Sequence, residues 1–198
     1  MAGPKYSSYN NPDHPLSPME VWVARAMRYR LLWILMISIF LLDQFTKVWI
    51  ASLLPLGAYH PPHRINILEG YLHLVHVANS GAAWGILQGW TWLLAAFSAL
   101  CVVLIFLFRE TLQMQRTPCQ LAFGFLLGGV LGNLLDRVFR GHVIDFIDVH
   151  IGNLYVWPAF NVADAGIFCG VAIYLYYTFF MEHRYPPPRK KVADFHQK

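Results

Sequence analysis

Charge is scarce in this chain. Of 198 residues only 13% are charged, 15 Lys and Arg against 11 Asp and Glu, while 57% are hydrophobic. With the apolar residues gathered in four long runs, that balance excludes a soluble domain with a large core and points to a polytopic membrane protein. Cysteine is scarce too. Cys101, Cys119 and Cys169 are odd in number and lie in or beside apolar runs, so they make no disulfide framework or ligand cluster and read as small buried hydrophobes. No basic patch is interleaved with exposed aromatics, which excludes nucleic acid as a partner. No Ser or Cys stands beside a His and an acid at a recognisable spacing, which argues against a covalent nucleophile. There is no His-Glu-x-x-His pattern. The pairs His60/His63 and His73/His76 are spaced by three, which on a strand sends them to opposite faces, so no metal and no other cofactor is expected.

The few charges are unevenly placed. Eleven of the fifteen Lys and Arg lie within 1–30, 109–116 or 184–198; the others are Lys47, Arg64, Arg137 and Arg140. By the positive-inside rule both termini and the middle connection face the cytoplasm. The apolar runs predict spans at about 31–54, 89–108, 120–138 and 159–181, each close to the ~20 residues a bilayer requires. The chain thus divides into a cytoplasmic N-terminal extension (1–30), a four-helix membrane unit (31–181) and a basic cytoplasmic tail (182–198). The second span lacks any acid, base or amide and is assigned to packing and lipid contact. Tyr174, Tyr176 and Tyr177 suit an interfacial aromatic belt. Residues 55–70 read as a loop, and 71–79 alternate as a strand.

The stretch 128–164 holds four of the eleven acids and is flanked by apolar runs, where ionisable groups are costly and therefore functional candidates. On a helix over 120–138, Gly124, Gly128, Gly132 and Asp136 fall on one stripe and Gly129, Asn133 and Arg137 on its neighbour. Small residues spaced by four let a substrate or a neighbouring helix come close. Gly141 breaks the helix. Residues 142–149 then alternate, with Val143, Asp145 and Ile147 on one face, and 154–157 form a second β-rich piece after a hairpin loop at 151–153. Such a hairpin returns the chain to its starting depth, so Asp145 and Asp164 can meet, with Asn161 on the helical face of Asp164. Asp43 and Lys47, four apart, can pair on the first helix.

Three readings fit these positions. Two carboxyls sharing a proton can cleave a peptide bond with water. Asp43, Asp145 and Asp164 can relay protons or ions in a transporter, although a carrier holds its site nearer the midplane. Or the acids can merely neutralise Lys47, Arg137 and Arg140.

Four motifs in order favour the first. Residues 43–47 (DQFTK), 79–84 (NSGAAW), 132–137 (GNLLDR) with 141–146 (GHVIDF), and 160–164 (FNVAD) resemble the bacterial lipoprotein signal peptidases, signal peptidase II, across about 31–181. The resemblance implies a membrane α-helical fold of four transmembrane helices, with a small extracytoplasmic β-sheet platform and a short interfacial helix. It also implies an aspartic endopeptidase of the bacterial inner membrane that removes the signal peptide from diacylglyceryl-modified prolipoproteins, cutting before the lipidated cysteine. Its catalytic pair falls on Asp145 and Asp164. Its substrate-binding or site-shaping positions fall on Asp43, Lys47, Asn79, Gly81, Asn133, Arg137, Asn161 and Ala163. No cofactor is implied. The partners are lipidated substrate and membrane lipid, the enzyme acts as a monomer, and the site lies near the periplasmic face. Asp136 is expected to be structural and Asp148 a solvated strand residue. Trp84 stands where Phe is more usual.

Overall fold

The computed structural model describes residues 17–151 and 155–181. Most of the expected 151–153 loop, Leu154 and the basic tail lie outside them. The helices are α1 (Pro18–Arg28), α2 (Arg30–Leu53), α3 (Thr91–Leu107), α4 (Thr117–Phe139) and α5 (Val162–Tyr176), the last prolonged by a wider π-type turn, Tyr177–Met181. The strands are β1 (Ile65–Leu68), β2 (Leu72–Asn79), β3 (Val143–Ile151) and β4 (Tyr155–Phe160), antiparallel and adjacent in that order.

Among the described residues three helices are long and apolar enough to cross a membrane: Arg30–Leu53, Thr117–Phe139 and Val162–Met181. The fourth apolar helix, α3, has 17 residues and buries none of them. At about 26 Å it covers most of a ~30 Å hydrocarbon core. It packs on α4 and turns Phe97, Leu100, Val103 and Leu107 outward, as a lipid-facing helix should.

Helix α4 is the centre, packed against α2, α3 and α5, and its glycines explain how. A β-carbon added at Gly124 would lie 2.7 Å from Cβ of Leu35, and one at Gly128 would lie 2.8 Å from Cβ of Ile39, both on α2. At Gly129 it would strike the carbonyl of Ala163 on α5. The two stripes therefore seat two neighbouring helices, and substrate does not lie along them. Gly141, at φ +75°, closes α4 and turns the chain into β3, the usual left-handed exit from a helix.

Several expectations change. A strand, β1, lies within the 55–70 loop. β4 runs to Phe160, so α5 begins three residues later than the apolar run suggests. Pro158 is tolerated because β4 is an edge strand. The expected interfacial helix is a single 3₁₀ turn, Ala83–Gly85. Within the extension, α1 starts at a capping box: Ser17 Oγ accepts from Glu20 N (3.3 Å) and Glu20 Oε2 from Ser17 N (2.8 Å). The Ser-Pro-x-Glu spelling is the signal that marks it. Tyr177 is buried, donating to Gln113 Oε1 at 2.8 Å, so only Tyr176 of that pair suits a belt. Of the cysteines Cys119 is buried, whereas Cys169 faces outward from the bundle.

Candidate active site

At the end of the bundle where α2 meets the sheet, the charged side chains of Asp43, Lys47, Asp136, Asp145 and Asp164 are buried or nearly so, and the fold sorts them into two groups. The first is an ion network. Lys47, Asp43 and Asp136 are wholly buried. Nζ of Lys47 lies 2.8 Å from Asp43 Oδ2, 2.8 Å from Asp136 Oδ2 and 2.9 Å from Asn133 Oδ1, which uses all three of its donors. Asp136 also pairs with Arg140 and accepts from Ile144 N at 3.4 Å. Asp43 Oδ1 accepts from the Ala163 amide at 2.9 Å. Two cations thus meet two anions, and each carboxylate oxygen has a donor, as buried charge requires. Gln44 completes the network, its Nε2 reaching Asp43 Oδ2 at 3.1 Å and Asp136 Oδ1 at 3.3 Å while Oε1 accepts from Arg140 at 3.2 Å. Neither Gln44 nor Arg140 stands out as a site residue in the sequence. Gln44 lies within the 43–47 motif, which is the only signal for it.

The second group is Asp145 and Asp164, neither of which has a cationic side chain within salt-bridge distance among the described residues. Asp145 projects from β3 opposite Val77 of β2. Its Oδ2 accepts from Asn79 Nδ2 (2.9 Å) and its Oδ1 from Asn161 Nδ2 (2.7 Å). Asp164 is the third residue of α5 and half of that helix's capping box: its Oδ2 accepts from Asn161 N (3.2 Å), and Asn161 Oδ1 accepts from Asp164 N (2.9 Å). The contact that starts the helix therefore also aims the carboxylate. Asn133 Nδ2 donates to Asp164 Oδ1 at 2.8 Å. Asn161, fully buried, touches both acids.

Burial first, and then the charge of Asp164, push the Asp145 carboxyl up to about 7 against the donors Asn79 and Asn161. Two carboxyls that feel each other share one proton near neutrality. Arg137 bonds neither acid. Its Nη2 donates to the Gly81 carbonyl at 3.1 Å and its Nη1 to the Asn133 carbonyl at 3.4 Å, while Gly81 N donates to Asn79 Oδ1 at 2.9 Å. Arg137 thereby ties the 80–89 loop to α4. Gly81 has to be glycine, because a β-carbon there would lie 2.9 Å from the Ile86 carbonyl. Trp84, exposed at the tip of that loop, meets Trp157 edge-on at 6.1 Å. All ten positions named from the sequence converge, though Gly81 and Ala163 contribute backbone alone.

A family model described as signal peptidase (SPase) II matches residues 35–180. The chain belongs to the signal peptidase II family. It is 38% identical over 164 residues to the lipoprotein signal peptidase of Anoxybacillus flavithermus, covering 83% of this chain and 92% of that one. To the lipoprotein signal peptidase of Nostoc punctiforme it is 37% identical over 156 residues, 77% of this chain and 92% of that one. A solved bacterial membrane enzyme superposes with a TM-score of 0.67 at 27% identity, covering 79% of this chain and 92% of that chain. The signal peptidase II match begins inside α2 and takes in α3, α4, α5 and the sheet, but it excludes α1.

Proposed function

We propose that Asp145 and Asp164 are the water-activating pair with which this signal peptidase II family member cleaves lipoprotein signal peptides. The observation that carries the assignment is the sorting of the buried acids. Asp43 and Asp136 spend their charge on Lys47 and Arg140, while Asp145 and Asp164 are held by neutral amides, joined through Asn161 and left free to exchange a proton. Asp145 holds the shared proton. Asp164 takes a proton from the attacking water as the oxygen adds to the scissile carbonyl, and Asp145 protonates the carbonyl oxygen. The proton gathered by Asp164 then passes to the departing amine. The anchored loop of Gly81 holds the unwound substrate backbone, while the amides of Asn133 and Asn161 orient the two carboxylates. The diacylglyceryl substrate enters laterally, and the groove of Met36, Ile37, Phe40, Leu131, Leu134 and Leu135 between α2 and α4 offers apolar side chains to an acyl chain. One chain supplies every group in the scheme, so it acts as a monomer, with 31–181 as the catalytic unit and 1–30 and 182–198 as flanks. A gel-shift assay of the purified protein in detergent with a diacylglyceryl-modified prolipoprotein tests the activity, and no cleavage of it would defeat the reading.

The shared proton sets the pH response. Since Asp145 must be protonated, kcat/KM should fall as pH rises past about 7. Asn79 stabilises the charged form of Asp145, so Asn79→Ala should move that limb to higher pH by about one unit. A limb that stays in place or moves down would remove Asp145 from the role of acid.

The basic segments support a topology with both termini and the α3–α4 connection in the cytoplasm of a bacterial inner membrane, and hence with the sheet and the pair on the periplasmic side. Glu69 is exposed between β1 and β2. In a background with Cys101, Cys119 and Cys169 changed to Ser, Glu69→Cys should react with an impermeant maleimide from the periplasm. Reaction only after the inner membrane is breached would invert the topology.

A further inference from the structure

The face of β3 turned away from the pair carries a second polar cluster. His73 on β2 is the direct cross-strand partner of Asp148 on β3. His150 lies two residues further along β3, so the three side chains project from one face of the sheet. His73 and Asp148 are wholly buried, which corrects the expectation that Asp148 is solvated, and the His150 side chain is 19% exposed. One ligand atom from each residue lies within 4.8 Å of the other two. Nε2 of His150 is already 2.8 Å from Asp148 Oδ2, and the two imidazoles meet edge-on with centroids 4.9 Å apart. Tyr59, on the α2–β1 connection, holds its hydroxyl 3.5 Å from the carboxylate's other oxygen.

His73 is the residue that packing does not explain. Neither of its ring nitrogens has a hydrogen-bond partner, although both are buried. Leaving a buried polar group unpaired is costly, and an aliphatic side chain on the same strand would avoid that cost.

We propose that His73, Asp148 and His150 bind a divalent transition-metal ion, with Zn²⁺ the best fit. Two imidazole nitrogens and one carboxylate oxygen make a donor set zinc accepts, with a fourth position for water. Tetrahedral ligands at about 2.0–2.2 Å from zinc stand roughly 3.4 Å apart, so the three atoms need close by little more than an ångström. The ion clamps β2 to β3 three residues beyond Asp145, on the opposite face of the strand. It is a structural ion, independent of the proposed chemistry. His76 takes no part, because its Nδ1 lies 2.8 Å from the Leu54 carbonyl.

The test uses the full-length protein with any affinity tag removed. Zinc is titrated against a chromophoric chelator in detergent and the bound metal counted by mass spectrometry. Cobalt(II) serves as a second probe, through the intense visible bands of a four-coordinate site. About one zinc per chain is expected, with binding weakened at least ~100-fold in His73→Gln and in His150→Gln. His60→Gln and His63→Gln should leave it intact. His150 is partly exposed, so its variant keeps the test open should His73→Gln fail to fold. Clearly substoichiometric zinc in the parent, or equal zinc in parent and both variants, would overturn the site.

Discussion

Asp145→Asn and Asp164→Asn should each lower prolipoprotein cleavage by roughly 10³-fold or more, the scale of a lost general acid or base, while the protein stays folded. For Asp145 the structure adds a second expectation of opposite sign. Its carboxyl titrates near 7 in the fold against an ordinary value of 3.8, so between those values the folded state binds more protons than the unfolded one. Stability therefore falls as pH rises through that window. The penalty is on the order of a few kcal/mol above pH 7, and the Asp145→Asn variant does not incur it. The new amide turns an NH₂ toward one of two donors, Asn79 or Asn161, which costs about 1 kcal/mol. The variant should accordingly be inactive yet melt higher than the parent at pH 8, with the gap closing toward pH 4. Cleavage near the parental rate in either variant would end the assignment of the pair. Inactivity with loss of the cooperative melt at pH 8 would make Asp145 a structural acid.

Lys47→Met should have the largest effect on stability, about 3–5 kcal/mol, because removing one member of a buried ion pair strands the other. Here it leaves Asp43 without a cation and Asp136 with Arg140 alone. Asp43 would keep only the Ala163 amide and Gln44, and Asp136 would keep Arg140, Gln44 and the Ile144 amide. Asn133 also loses the shorter of its two donors at Oδ1, keeping Asn161 at 3.3 Å, and with it part of its hold on Asp164, so cleavage should fall as well. Adding Asp43→Asn to Lys47→Met removes one stranded charge and should recover part of the loss. Thermal unfolding in detergent measures both. A Lys47→Met protein that melts within a degree or two of the parent would show that the network is solvated.

The sequence carried the helices α2, α3 and α4 to within a few residues, because runs of some twenty apolar residues in lipid have few alternatives. It carried β2 and β3 through their alternation. It lost β1 among prolines and glycines, and it merged the end of β4 into α5, because hydropathy does not change where an apolar edge strand becomes an apolar helix. The boundary is set instead by Asn161 and Asp164, an Asn-x-x-Asp capping box that spacing alone does display. Asp148 read as solvated because its burial depends on the α2–β1 connection covering that face of the sheet, which no local pattern reports.

By itself the sequence determined that the chain is a membrane bundle, which residues are its rare ionisable groups, and which of them share a helical stripe. All of that follows from composition and from periods of 3.6 and 2. Only the tertiary structure decided which acids meet a cation and which do not. Asp43 with Asp136 and Asp145 with Asp164 are chemically identical carboxylates, equally rare in their surroundings. They differ in whether an ammonium or guanidinium stands within ion-pairing distance. Lys47 and Arg140 stand one helical turn from Asp43 and Asp136, but it is the packing of α2 on α4 that also brings Lys47 onto Asp136 and the packing of α5 on the sheet that leaves Asp145 and Asp164 with neutral amides, because a buried charge can be neutralised only by a group the fold brings into contact with it.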